Sequence, residues 1–249
     1  MKICAFCGNP GGNVEHIIAR WMIDRMGARE YPVVVGFRKE DSLKSRPAHR
    51  LHTYTTKAVC EKCNSGWMSE LEGWFQRNLG LLVEPVWPKL ATEILRTALS
   101  ENTQLAKWAL KTAIMMDTNT MMKNIVDERA AHDVREGKLP DALVVEIAHV
   151  AESGVGGILS QGFWVRNGSR PPEWQEHKEK QAFKAIIQLN HLAIRVFCAP
   201  TARATYYGLN GRLPLRCYPE VQDPYNGDFR FQDLFEFDRV LEMETWLGA

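Results

Sequence analysis

Cys60-Glu61-Lys62-Cys63-Asn64-Ser65-Gly66-Trp67-Met68-Ser69-Glu70-Leu71-Glu72 is the stretch whose reading decides this chain. Cys60 and Cys63 have the spacing of a metal-chelating turn. Behind them Trp67, Leu71, Trp74 and Phe75 recur at helical intervals, so this knuckle opens an amphipathic helix. A second knuckle of the same spacing, Cys4-Ala5-Phe6-Cys7, stands near the N-terminus, with Glu15-His16 between the two. Each knuckle is followed by a turn-compatible residue, Gly8 and Asn64. Four thiolates in two chelating turns suit tetrahedral zinc in a closed structural site, held by Cys4, Cys7, Cys60 and Cys63 with no position left open for chemistry. Such a staple sets a carboxylate, an imidazole and an amide beside one another, at Glu15, His16 and Asn64.

Outward from this frame, the composition sets the class. A chain of 249 residues, 45% apolar and 24% charged, is an ordinary globular protein of one large domain or two smaller ones. No run approaches the roughly 20 apolar residues that span a bilayer, and Met1-Lys2-Ile3-Cys4 begins no apolar segment with a cleavage site, so the expected setting is the cytoplasm, without a membrane partner. In that setting paired cysteines favour metal over disulfides. Cys198 and Cys217 stand alone, and the apolar surroundings of Cys198 predict a buried, inert thiol. The net charge of +1 argues against tight non-specific binding by the whole molecule. Between residues 38 and 57, however, Arg38, Lys39, Lys44, Arg46, Arg50 and Lys57 face only Glu40 and Asp41, a local balance of +4 that can hold a phosphate backbone.

The expected fold class is α+β, with a cysteine-framed unit over residues 1–80 and a second unit over 81–249. The join, Gly80-Leu81-Leu82-Val83-Glu84-Pro85-Val86-Trp87-Pro88, breaks a helix with its prolines but is too apolar for a free linker, so the two halves should pack together. The first unit reads as a strand over Val14–Ile18, a helix to Met26 stopped by Gly27, and strands over Pro32–Arg38 and Arg50–Val59. The second opens with helices over Gln104–Met116 and Met121–Glu136. Strands follow over Leu143–Val150, Phe163–Arg166, Phe183–Leu189 and Leu192–Cys198, the last two joined by a hairpin turn at Asn190-His191 in an antiparallel sheet. A final helix is expected over Asp233–Trp246.

The pattern Cys-x-x-Cys, Glu15-His16-Ile17-Ile18, Cys-x-x-Cys-Asn resembles the HNH endonucleases, also called ββα-metal or His-Me finger nucleases, and among them the zinc-stapled branch that includes phage junction-resolving enzymes. More narrowly, Glu15–Trp21, Cys63–Glu72 and Leu105–Ala113 resemble a bacterial and phage group of HNH endonucleases. The nuclease motifs cover about a third of the chain. The resemblance implies an N-terminal zinc-stapled ββα-metal domain that hydrolyses DNA phosphodiester bonds, with RNA as a further possible substrate. It also implies that His16 is the general base and that Glu15 and Asn64 together bind a catalytic magnesium or manganese ion. An imidazole with an ordinary pKa of ~6.5 suits the first role, and hard oxygen donors suit the second. The second unit would supply specificity, homo-oligomerisation or control, in phage defence or a mobile element.

The chain departs from the family pattern at three points. Glu15 stands where Asp is commoner, Met68 stands one helical turn after Asn64 where a further ligand is common, and Thr55 and Thr56 occupy the strand that elsewhere carries an orienting asparagine. His49 and His52 are candidate substitutes. The rival reading is a catalytically silent zinc-bearing module that binds nucleic acid or protein, with His16 a polar junction residue and Asn64 a helix N-cap. Trp67 and Trp74 read as core, Met115-Met116 and Met121-Met122 as apolar filler, and His132, His149, His177 and His191 show no paired spacing.

Overall fold

Short pieces build the first half, each too small to be stable without the rest. The computed structural model describes residues 2–33, 36–39, 42–45, 49–119, 125–160, 164–165, 183–198, 202–206, 212–239 and 241–245. Of residues 33, 36–39, 42–45, 49, 160, 164–165, 202–206, 239 and 241–245 it describes the backbone alone. Strand β1 (Asn13–His16) leads into helix α1 (Arg20–Arg25), which Gly27 stops with a left-handed φ of 66°. β2 (Pro32–Val33), β3 (Gly36–Lys39), β4 (Ser42–Ser45) and β5 (His49–Arg50) follow, β3 and β4 as one hairpin and β2 with β5 as another pair. The single strand expected over Arg50–Val59 is interrupted by a 3₁₀ turn at Leu51–Thr53, after which β6 (Thr55–Val59) pairs antiparallel with β1. Helix α2 (Glu61–Cys63) passes through a π-helical turn, Asn64–Met68, into α3 (Ser69–Leu79). Gly66 is non-helical inside that turn, which kinks the segment.

Beyond the join come α4 (Ala91–Leu99), which the sequence reading passed over, and α5 (Asn102–Asp117). Only one face of α5 was expected to be apolar, yet twelve of its sixteen residues are buried. The reason is position: α5 packs against both α3 and the strands of the large sheet, so it is enclosed on more than one face, with Lys111, Thr112 and Asp117 among its buried residues. α6 (Glu128–Arg135) is shorter than the helix expected from Met121, since 125–127 are not helical and 120–124 lie outside the described residues. It does end at Gly137, at a φ of 81°.

The sheet is antiparallel in the main, as expected, but its longest strands differ from expectation. β7 (Leu143–Ser160) runs on past Val150, and after β8 (Trp164–Val165) β9 (Phe183–Cys198) is one continuous strand rather than a hairpin. The two pair from Leu143↔Cys198 to Ser160↔Lys184. Asn190 does adopt a positive φ of 55°, but it serves a bulge: β7 advances from His149 to Gly154 while β9 moves only from Leu192 to Asn190. The Asn190 side chain donates to the Val83 carbonyl at 2.7 Å, so the bend grips the join instead of reversing the chain. After β10 (Ala202–Tyr206), β11 (Leu215–Tyr218) and β12 (Arg230–Phe231) share the other edge of β7. The expected final helix stops early. α7 covers Leu234–Arg239, and β13 (Leu241–Thr245) then pairs with β10 and β8. Of the apolar residues that suggested helix, Leu234 and Phe237 lie in α7, Leu241 falls in β13, and Val240 lies outside the described residues.

One apolar core runs from Cys4 to Cys217, through Phe75, Trp108 and Ile194, and crosses residue 80 without a break. Phe75 and Trp108 meet with ring centroids 4.0 Å apart, joining α3 to α5. Among the described residues no helix is long and apolar enough to cross a membrane.

Candidate metal centre and adjoining polar site

The knuckles converge as their spacing predicted. The sulfurs of Cys4, Cys7, Cys60 and Cys63 all lie within 4.8 Å of one another, with Cys7 Sγ 3.6 Å from Cys60 Sγ. Sulfurs at 2.3 Å from a tetrahedral zinc would stand about 3.8 Å apart, so this soft, compact donor set fits such an ion. All four cysteines are free of disulfides, and Phe6 packs edge-on against Trp67 at 5.2 Å to close the cluster from one side. Burial pushes the Cys4 and Cys63 thiols up. Burial also opposes ionisation of Cys7, but hydrogen bonds from the Asn9 amide and from the neighbouring thiols outweigh it and hold that thiol at about 7. The Trp67 indole N–H is buried without an oxygen acceptor among the described residues; its influence falls on the Cys63 sulfur, which it draws toward the thiolate.

Beside this cluster the β1–β6 pair sets out the polar residues. Glu15 lies opposite Thr56 and His16 opposite Thr55, with a register shift between Asn13 and Glu15. The Asn64 side chain comes close enough to the Glu15 carboxyl to favour its ionised form, which places the two knuckle-flanking motifs near one another. Asn64 is not an N-cap. Cys60 occupies that position, and Asn64 sits with helical φ and ψ at the joint between α2 and the π turn, where its amide is available to Glu15. Burial raises the Glu15 carboxyl above its usual range; the Asn64 side chain and the charges of Lys111 and His16 pull it back, and Glu72 pushes it up again. A carboxylate and an amide oxygen are hard donors, a set that fits magnesium or manganese and leaves most of an octahedral shell to water and substrate.

His16 Nε2 lies 3.1 Å from the His52 carbonyl oxygen. A carbonyl can only accept, so Nε2 carries the hydrogen and Nδ1 of the neutral ring is the basic nitrogen. The 3₁₀ turn at Leu51–Thr53 that interrupts the expected strand is what aims this carbonyl. Thr53 Oγ1 donates to the Arg50 carbonyl at 2.8 Å, and His52 Nδ1 donates to the Arg29 carbonyl at 2.8 Å. His52 therefore enters the site through its backbone. The side chain of His49 lies outside the described residues.

Two residues escaped the sequence reading. Glu72 accepts from Trp108 Nε1 at 3.0 Å and from Trp21 Nε1 at 3.3 Å, and it is paired with the Lys111 ammonium. Lys111 is 3% exposed and lies on α5, a helix of the second half that reaches the site. Both residues fall inside the motifs quoted above, but nothing in their spacing links them.

The basic stretch divides. Lys57 is exposed on β6, and Arg50 is exposed and paired with Glu30 at 2.7 Å. The side chains of Arg38, Lys39 and Lys44, and the whole of Arg46, lie outside the described residues, as do Met121, Met122 and His177. Trp67 and Trp74 pack in or against the core, and Cys198 and Cys217 are buried there. Compared with known proteins, the chain matches no family model, no curated protein and no solved structure.

Proposed function

We propose that this protein is a metal-dependent endonuclease of HNH type that hydrolyses phosphodiester bonds in DNA. The observation that carries the reading is a histidine whose Nδ1 is the basic nitrogen, next to a Glu15 carboxyl that the Asn64 side chain approaches. A carboxylate, an amide and an imidazole gather against a four-cysteine cluster. His16 Nδ1 would take a proton from water as the resulting hydroxide attacks phosphorus. The His52 carbonyl holds the ring through Nε2 and stabilises the imidazolium that forms, a role for a fixed acceptor. Glu15 and Asn64 would hold a magnesium or manganese ion, which when bound neutralises charge on the scissile phosphate and the departing 3′ oxygen. Breaking the bond to that oxygen leaves 5′ phosphate and 3′ hydroxyl ends. Zinc in the cysteine cluster would hold the fold, and the basic stretch from Arg38 to Lys57 would run along the nucleic-acid backbone.

Plasmid relaxation by zinc-loaded protein, with and without magnesium, tests this. His16→Ala should lower cleavage by about 10² to 10⁴ while zinc content and circular dichroism stay as in the wild type. Asn64→Ala should lose activity that added magnesium or manganese partly restores. If His16→Ala cuts as well as the wild type, or the wild type cuts neither DNA nor RNA with any divalent ion, the chain is instead a zinc-bearing binding module.

A further inference from the structure

The pair formed by Glu72 and Lys111 has no role in the chemistry just described, yet both charges act on the Glu15 carboxyl, with Lys111 buried and Glu72 half-buried. Glu72 is held from three directions, by the indole N–H groups of Trp21 and Trp108 and by the Lys111 ammonium. A carboxylate so fixed cannot swing away, and a lysine 3% exposed cannot reach solvent or lie along a substrate backbone. Trp108 also lies under the ammonium, 5.5 Å from Nζ to the ring centroid. The centre therefore contains two carboxylates, Glu15 and Glu72, and one immobile cation, with a formal charge of −1 rather than −2.

Resting on the nuclease reading, we propose that Lys111 is a positioning residue that acts as a fixed cation on the second carboxylate of the centre, so that Glu72 is withheld from metal and the site takes one divalent ion at Glu15 and Asn64. Two carboxylates without an intervening cation invite a second divalent ion, as in two-metal sites. Lys111 supplies that positive charge from within the chain. Because it comes from α5, it also makes the centre depend on the second half of the molecule.

The test is direct manganese binding to the full-length, zinc-loaded chain, read by the loss of the free-ion electron paramagnetic resonance signal and by calorimetry. A unit change of charge about 8 Å from a divalent ion shifts its affinity about sixfold at the dielectric of water, and about tenfold or more at the lower effective dielectric of a half-buried site. Wild type should bind one manganese ion. Lys111→Met should bind it about tenfold more tightly or take a second equivalent through the released Glu72, and Glu72→Gln, which keeps the shape and an acceptor for the indoles, should bind about tenfold more weakly. If Lys111→Met fails to fold, Glu72→Gln decides. Should Glu15→Gln abolish binding while both other variants bind like the wild type, this inference is overturned and the nuclease reading stands. If the wild type binds no manganese at all, both fall together.

Discussion

Two ion pairs built on buried cations, one in the sheet and one at the candidate site, show how differently the same interaction can be used. In the sheet Glu146 and Arg195 lie opposite each other on β7 and β9, 1% and 0% exposed. Arg195 Nε and one terminal nitrogen both donate to Glu146 Oε2, at 2.8 and 2.6 Å, while the other donates to the Phe237 carbonyl at 2.7 Å and the guanidinium lies 4.5 Å from the Phe237 ring centroid. The donors of its planar fork point at fixed acceptors, and the pair ties α7 to the sheet. At the other end Lys111 carries a compact ammonium, with Glu72 as its hydrogen-bond partner, against a site that contains Glu15 and Asn64. One pair serves the packing of the sheet. The other acts on Glu15, a residue of the candidate site.

The largest effect should come from breaking what the first half relies on and the sheet does not. Structural zinc contributes about 10 to 16 kcal/mol of apparent binding free energy in small zinc domains at neutral pH, and the cysteine-framed half has few long elements to replace it. Stripping zinc with a chelator, or changing Cys60 to Ser, should open residues 2–79 to amide hydrogen exchange while β7 and β9 remain protected. Fewer than half an equivalent of zinc in fresh protein, with all four thiols free to a labelling reagent, would remove the premise.

The sheet pair should give the next largest effect. Removing one member leaves an uncompensated buried charge, so Arg195→Met should cost about 3 to 5 kcal/mol in chemical denaturation. The double variant Glu146→Leu with Arg195→Met should recover most of that loss, because two apolar residues need no partner. A single variant that loses nothing would mean that water reaches Glu146, and the contrast between the two pairs would fail.

What the sequence disclosed follows the same division. Local signals were legible: both knuckles, Glu15 beside His16, Gly27 and Gly137 as helix stops, and α5 as a helix. Each depends on residues close together in the chain. Relations set by tertiary packing were not legible. Asn190-His191 has the composition of a tight turn, but a positive φ serves a bulge as well as a hairpin, and only the facing strand and the Val83 carbonyl decide between them. Leu241 continues the helical repeat of Leu234 and Phe237 until a strand partner is available at β10. Lys111 reads as the polar side of an amphipathic helix, and its burial depends on Glu72 arriving from α3 with two indoles around it. The Leu51–Thr53 turn breaks an alternating stretch that locally favours a strand, yet it is this break that aims the His52 carbonyl at His16.

The smallest effect marks the solvent-exposed end of the comparison. Asp228 and Arg230 form a pair at 2.8 Å with side chains 38% and 71% exposed. The Arg230 hydrogen bond holds the Asp228 carboxyl below its usual range, against the opposing effect of burial. An acid whose pKa is lower in the folded state than in the unfolded chain stabilises the fold at pH above the unfolded value of ~3.9, and the contribution fades as pH falls through the lower, folded value. Water screens such a pair, so its contribution at neutral pH should be slight. Asp228→Asn should therefore melt almost with the wild type at pH 7, and the small difference should close as the pH approaches 3. The Arg230 amide, which donates to Asp228 Oδ1 at 3.1 Å, can still find an acceptor in the asparagine. A destabilisation at pH 7 as large as that of Arg195→Met would show that burial does not grade these pairs, and the distinction between the pair of the sheet and the pair of the site would need another cause.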